Sequence, residues 1–313
     1  MAVLISGGAG FLGLHLTRRL ANQGIRVIIY DHSYDTAPPI FLDDTRIKCI
    51  TGDIRDLSHL EETLQTYNVE VVVHLATLLT AVCEEDLLMA AKVNCEGTAA
   101  VFDASARCGV RRVVFGSSVA VFNDNPALPT GDDRPYGPSS VYGATKVFCE
   151  QLAHAFRRSH KGLGLLGLRF GWVYGFGRVR GWTEVQNVIE GFALEREIVP
   201  YPDYRQPSDW TYIDDAVGAI LRCLDGPLPE RIAINFSGEY RRIDEAIAHL
   251  KRCFPEVQVK PYAASLPPVG WNFRSDSMIR ELGYSFQIGL EEGLERTVAA
   301  IRQAHDLPPL FDH

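Results

Sequence analysis

Ala2-Val3-Leu4-Ile5-Ser6-Gly7-Gly8-Ala9-Gly10-Phe11-Leu12-Gly13 decides how the rest of the chain is read. Val3 to Ile5 is a short apolar run of the kind that forms a buried strand, and it turns at once into glycines. From Phe11 to Asn22 the apolar residues recur with helical spacing, and Gly24 can end that helix. Gly7, Gly10 and Gly13 therefore sit in a strand–turn–helix unit. One glycine permits the tight turn, one lets the backbone approach a pyrophosphate, and one lets helix and strand pack closely. N–H groups at the helix start, those of Phe11 and Leu12 among them, then face phosphate oxygens.

Working outward, the same alternation continues. Arg26 to Tyr30 reads as the second strand, closed by Asp31, and Ile47 to Ile50 as the third. Leu57 to Tyr67 has a helical pattern, and Val69 to Leu75 is an unbroken apolar run that suits a buried parallel strand. A helix is expected over Leu87 to Cys108, a fifth strand over Val113 to Gly116, a helix over Tyr142 to Ser159 and a sixth strand over Leu163 to Phe170. Strands alternating with helices predict an α/β fold, a Rossmann doubly wound parallel sheet, over residues 1–170. Beyond Gly171 the alternation is lost. Residues 171–204 and 237–313 are read as a smaller mixed C-terminal lobe that shapes the substrate pocket, with 205–236 returning to the sheet.

Composition excludes several classes of function. The formal net charge is −8, which argues against nucleic acid, because phosphate binding needs a surplus of Lys and Arg. Cys49, Cys83, Cys95, Cys108, Cys149, Cys223 and Cys253 show no C-x2-C spacing and read as reduced thiols. No metal site is expected. No apolar run reaches the roughly 18 residues of a membrane span, and the N-terminus lacks the basic and apolar regions of a signal peptide. A cytoplasmic protein that binds no membrane is the expectation.

Asp31 stands at the end of the second strand, where a carboxylate can accept both ribose hydroxyls of an adenosine and repel a 2′-phosphate. NAD is therefore favoured over NADP. Asp53-Ile54 and Leu75-Ala76 follow the third and fourth strands, at the carboxyl edge where ligands bind in such sheets, and Asp53 is placed to accept from the adenine amino group. Tyr142-Gly143-Ala144-Thr145-Lys146 opens a helix, so the phenol and the ammonium share a face. A phenol with pKa about 10 is a poor base near neutrality, and a nearby cation favours its ionised form. Tyr142 is then able to take a proton from a substrate hydroxyl as the carbon is oxidised. Ser118, beyond the fifth strand, supplies a second hydroxyl for the reacting oxygen.

Together these residues resemble the extended short-chain dehydrogenase/reductase family, which contains sugar-nucleotide epimerases and dehydratases. The resemblance assigns Gly7, Gly10, Phe11, Leu12, Gly13, Asp31, Asp53, Ile54, Leu75, Ala76, Asn94, Tyr142 and Lys146 to the cofactor, and Ser118, Tyr142 and Lys146 to catalysis. Further matching stretches are His74-Leu75-Ala76, Asn94-Cys95-Glu96-Gly97-Thr98, Leu168-Arg169-Phe170, Asp209 to Asp215, and Leu282-Gly283-Tyr284 through Gly293. It also implies a homodimer built on the helices near Leu87 to Cys108 and Tyr142 to Ser159.

Departures from the pattern narrow the reaction. Dehydratases of the family carry an Asp-Glu pair after the strand-five serine or threonine, where this chain has Val119 and Ala120. Ala120 also stands where relatives that epimerise two further ring carbons use a cysteine. Nucleotide-sugar binders usually place arginine before the Asp-aromatic segment, and here Ser208 precedes Asp209. Gly171 and Trp172 replace the asparagine that commonly follows the sixth strand. Arg178, Arg180, Arg205 and Arg274 are the candidate cations for a substrate phosphate; Trp172, Trp182, Trp210 and Trp271 read equally well as packing residues. The expected function is NAD-dependent redox chemistry at a secondary alcohol or ketone carbon of a sugar or sugar nucleotide, epimerase-type. The alternatives are a net dehydrogenase or reductase of a free sugar, sugar acid or small hydroxy acid, and a non-catalytic dinucleotide-binding regulatory protein.

Overall fold

In chain order the elements are β1 (Ala2–Ser6), α1 (Phe11–Asn22), β2 (Arg26–Asp31), β3 (Ile47–Thr51), α2 (Leu57–Thr66), β4 (Val71–His74), α3 (Thr80–Glu85), α4 (Leu87–Ala90), α5 (Gly97–Arg107), β5 (Arg112–Ser118), α6 (Val141–Ser159) and β6 (Gly164–Phe170). There follow β7 (Val173–Tyr174), α7 (Glu184–Ala193), β8 (Ile198–Pro202), β9 (Ser208–Tyr212), α8 (Ile213–Cys223), β10 (Ala233–Phe236), β11 (Glu239–Arg241), α9 (Ile243–Cys253), β12 (Gln258–Tyr262), α10 (Asp276–Leu282) and α11 (Leu290–Ala304). They come from a computed structural model, which describes residues 1–34, 44–122, 129–181, 183–204, 206–264 and 272–311.

The main sheet has seven strands in the order β10-β6-β5-β4-β1-β2-β3, every neighbouring pair parallel. From β1 the chain builds outward through β2 and β3, then crosses back to start the other side at β4. The crevice above that reversal, at the carboxyl ends of β1 and β4, is where such sheets bind ligands. β1, β4 and β6 are buried along their whole length, which is why they read as continuous apolar runs rather than alternating ones. The seventh strand is β10, which pairs with β6 from Ala233↔Gly167 to Phe236↔Phe170.

The smaller lobe holds a three-stranded sheet, β11-β9-β7, and a parallel pair, β12-β8. One apolar cluster runs from Val3 and Ile5 through Trp172, Val188 and Trp210 to Leu294 and Val298, so the two lobes share a core. The single helix expected over Leu87 to Cys108 is broken: α4 passes into a π-helical turn, Ala91–Glu96, before α5 starts, and the short α3 precedes it. A π turn carries an extra residue, and here the turn holds Asn94 in the interior, 1% exposed.

Candidate active site

The glycine turn has the shape of a phosphate cradle. Gly7 adopts φ +72°, and a Cβ on it would lie 2.5 Å from the Ala76 backbone nitrogen, so the β1 and β4 loops meet only because this residue has no side chain. A Cβ on Gly13 would lie 2.6 Å from the Gly7 carbonyl oxygen, which fixes how closely α1 packs beneath the turn. Gly10, in contrast, is exposed, and the only atom near its would-be Cβ is the Gly7 carbonyl oxygen at 3.2 Å. The α1 terminus has no side-chain cap and no acid in its first turn, which leaves the N–H groups of Phe11 and Leu12 for an anion.

Asp31 completes this end of the cleft. One carboxylate oxygen accepts from the Ala9 N–H at 3.0 Å, and the other accepts from the His32 N–H at 2.8 Å. The carboxylate thus faces the glycine turn. Asp53 is half-exposed and forms a bidentate pair with Arg55, whose guanidinium holds the carboxyl below the usual carboxylate range. Ile54 is buried against α5, where a Cβ on Gly97 would lie 2.6 Å from its Cδ1.

Asn94 does not present a free amide to the cleft. Its Oδ1 accepts from the Leu78 N–H at 2.7 Å, and its Nδ2 donates to the Leu78 carbonyl at 3.0 Å and to Thr145 Oγ1 at 3.2 Å. It clamps the loop after β4, which carries Leu75 and Ala76, onto α6. His74 is buried, with Nδ1 2.6 Å from Ser6 Oγ and Nε2 3.0 Å from Thr98 Oγ1; desolvation pushes its pKa down to about 3. It is a neutral brace between β1, β4 and α5.

The end of β5 and the face of α6 are joined residue by residue. Lys146 Nζ, 6% exposed, donates to the Gly116 carbonyl at 2.8 Å and lies 5.4 Å from the centroid of the Tyr142 ring. Ser117 Oγ donates to Glu150 at 2.5 Å. Ser118 Oγ accepts from the Ala120 N–H at 3.1 Å. Gly143 packs so tightly on the Ala120 carbonyl that any side chain there would overlap it, which seats the first turn of α6, and Tyr142 with it, beside the Ser118–Ala120 turn. The end of β5 and the first turn of α6 are thus held side by side.

Behind them lies a buried ion pair that residue patterns alone did not single out. Glu150, 0% exposed, accepts from Arg169 Nε at 2.8 Å, from Arg169 Nη2 at 2.7 Å and from the Tyr136 hydroxyl at 2.7 Å. Two signals in the chain could have found it: a lone arginine in the apolar run Gly164 to Phe170, and a glutamate one turn after Lys146 on the same helix face.

Of the candidate cations, Arg178 lies over the Phe11 ring at 5.9 Å from its centroid. Arg274 pairs with Asp276 at 2.5 Å, Arg180 is exposed, and Arg205 lies outside the described residues, as do Trp182 and Trp271. Trp172 meets Trp210 edge-on at 4.7 Å and stacks on Tyr174 at 5.4 Å. These two tryptophans, with Val185, Tyr204, Gln206, Ser208 and Ile243, line a mostly apolar cleft in the smaller lobe.

Residues 3–234 match the model of the NAD dependent epimerase/dehydratase family. A putative UDP-glucose 4-epimerase of Methanocaldococcus jannaschii is 27% identical over 95% of this chain and 97% of its own. The D-erythronate dehydrogenase of Cupriavidus necator is 34% identical, over 50% of this chain and 51% of its own. Among solved structures, that of MoeE5 in complex with UDP-glucuronic acid and NAD superposes with a TM-score of 0.84 at 28% identity, covering 97% of this chain and all of that one.

Proposed function

Because the chain belongs to the NAD dependent epimerase/dehydratase family, we propose that it carries out NAD-dependent redox chemistry at a secondary alcohol or ketone carbon of a sugar-type substrate. One observation carries the reading: an uncapped, glycine-lined helix terminus and an acid at the end of β2 share the carboxyl edge of the sheet with Ser118, Tyr142 and Lys146. The residues that would hold NAD are the Gly7–Gly13 turn with Phe11 and Leu12, Asp31, Asp53-Ile54, Leu75-Ala76, and Asn94 through the loop it clamps. NAD supplies the two-electron acceptor when bound. The protein's own part is the proton and the oxygen. Tyr142 takes the hydroxyl proton of the substrate, Ser118 holds the same oxygen, and the Lys146 ammonium stabilises charge developing on the phenol oxygen.

We favour the epimerase-type cycle, in which the oxidised carbon is re-reduced on its other face, because a relative matched over 95% of this chain is a putative UDP-glucose 4-epimerase. Net oxidation of a sugar acid is the second reading. Ser208 before Asp209 favours it, as does the similarity to D-erythronate dehydrogenase.

The test is turnover of Tyr142→Phe with NAD binding measured in parallel. Turnover is expected to fall about 100-fold or more with NAD binding retained; turnover at the wild-type level in a folded, NAD-binding variant sinks the mechanism. We also propose a homodimer through α3, α4 and α6. These helices pack on one another and expose Val82, Leu87, Leu88 and Phe148, which are 44–65% accessible.

A further inference from the structure

We propose that Glu84, on α3, is a positioning residue for Tyr142: its carboxylate holds the first N–H of α6 and so fixes where the phenol stands, a role that rests on Tyr142 being the proton-transfer residue.

Tyr142 is the second residue of α6, so its place depends on how that helix begins. The first N–H groups of a helix have no partner within it. Ser140, the N-cap residue, takes one of them, accepting from the Gly143 N–H at 3.1 Å. The Val141 N–H, adjacent to Tyr142 in the chain, donates instead to Glu84 Oε1 at 2.8 Å, across 57 residues of sequence. The first turn of α6 contains no acid of its own. The negative charge at the positive end of this 19-residue helix is therefore brought by another element.

α3 is in turn fixed to the site. Cys83 Sγ donates to the Leu78 carbonyl at 3.3 Å and accepts from Asn94 Nδ2 at 3.4 Å. The same Asn94 amide reaches Thr145 Oγ1, which donates to the Tyr142 carbonyl at 2.7 Å. The turn that carries Tyr142 is thus held from the interior through Thr145 and from the surface through Glu84, with Gly143 seated on the Ala120 carbonyl between them. Asn94, Thr145 and Gly143 are buried and also serve packing; Glu84 is exposed and fills no core space. What Glu84 adds is a charge-assisted hydrogen bond with a direction. Helix ends fray when their N–H groups are released, and a misplacement of about 1 Å at a reacting group can cost about 100-fold in rate.

The experiment uses the full chain loaded with NAD, as wild type, Glu84→Ala, Glu84→Gln and Tyr142→Phe. Hydrogen exchange of the Val141 amide, followed by nuclear magnetic resonance, reads the bond without any substrate. Exchange is expected to be about 10-fold faster or more in Glu84→Ala and close to wild type in Glu84→Gln, whose side-chain carbonyl accepts the same bond. Turnover is measured on those of D-erythronate, UDP-glucose and UDP-glucuronate that the wild type converts. Glu84→Ala should lower kcat about 3- to 30-fold, the range of a lost cap, with KM for substrate and for NAD within about twofold of wild type. Glu84→Gln should recover most of that loss. Unchanged exchange at Val141 in Glu84→Ala overturns the proposal, and so does a wild-type kcat in that variant. An equal fall in kcat in the Ala and Gln variants also overturns it, since it assigns the effect to the charge and not to the bond. Tyr142→Phe turning over at the wild-type level overturns the proton-transfer reading and the role of Glu84 with it. An inactive Tyr142→Phe beside a fully active Glu84→Ala overturns the role of Glu84 alone.

Discussion

Replacing Arg169 with methionine removes the cation paired with Glu150. Arg169 donates to both carboxylate oxygens, at 2.8 and 2.7 Å, and to the Asp132 carbonyl at 3.0 Å. After the change Glu150, 0% exposed, keeps only the Ser117 and Tyr136 hydroxyls as donors among the described residues. Leaving one member of a buried pair uncompensated costs about 3–5 kcal/mol. A chain of 313 residues unfolds with an entropy of about 0.7 kcal/mol per kelvin, so Tm should fall by about 5–7 °C. Because Ser117 is the neighbour of Ser118, turnover should also fall, with KM for NAD little changed. Calorimetry and urea unfolding measure the first part, steady-state kinetics the second. Arg169→Met combined with Glu150→Leu removes the stranded charge and should recover about 2 kcal/mol or more relative to Arg169→Met alone. A loss below about 1 kcal/mol in Arg169→Met, or a double variant as unstable as the sum of the singles, refutes the account of Glu150 as a charge that depends on Arg169.

Asp31→Ser should weaken NAD by about 10- to 100-fold, since it removes charged hydrogen bonds, and should narrow discrimination against NADP; isothermal titration with both cofactors checks this, and a wild type that prefers NADP contradicts it. Burial raises the Asp209 pKa from its ordinary value to about 7, against hydrogen bonds from Ser237, Gly238 and Thr211. The native protein therefore holds this proton over a range in which the unfolded chain has released it. Stability falls as pH rises from about 4 to about 7, by at most about 4 kcal/mol, and Asp209→Asn should flatten that slope in urea midpoints taken across the range. Leu88→Asp together with Phe148→Asp should yield a monomer by light scattering; a monomeric wild type disproves the dimer.

The parallel sheet was readable because its strands are buried on both faces, so β1, β4 and β6 announce themselves as apolar runs, and because Gly7 and Gly13 cannot be anything else where loop and helix approach so closely. Tyr142 and Lys146 were readable from helical spacing. The π turn was not: its residues carry an ordinary helical pattern, and what opens the turn is a tertiary clamp, Asn94 reaching Leu78 and Thr145. Arg178 stood in the sequence as one of several loop arginines. Only the packing of its loop across Phe11 and Leu79 separates it from Arg180, which is exposed, and from Arg274, which already has Asp276.

β10 joins the sheet only after the chain has left it at Phe170 and travelled through β7, α7, β8, β9 and α8 to Ala233. During synthesis, therefore, β6 is an open edge whose outer row of backbone N–H and C=O groups lacks its strand partner until residue 236 has emerged. Such an edge is a template for pairing with other chains. The delay also reaches the catalytic end of the sheet. The Asn235 N–H donates to Asp132 at 2.6 Å, and the Asp132 carbonyl accepts from Arg169. A nascent chain stopped short of β10 thus has a complete glycine turn and a complete Tyr142–Lys146 pair, yet lacks the strand that holds the Arg169 side of their support. Dinucleotide binding should mature before catalytic competence as the chain folds.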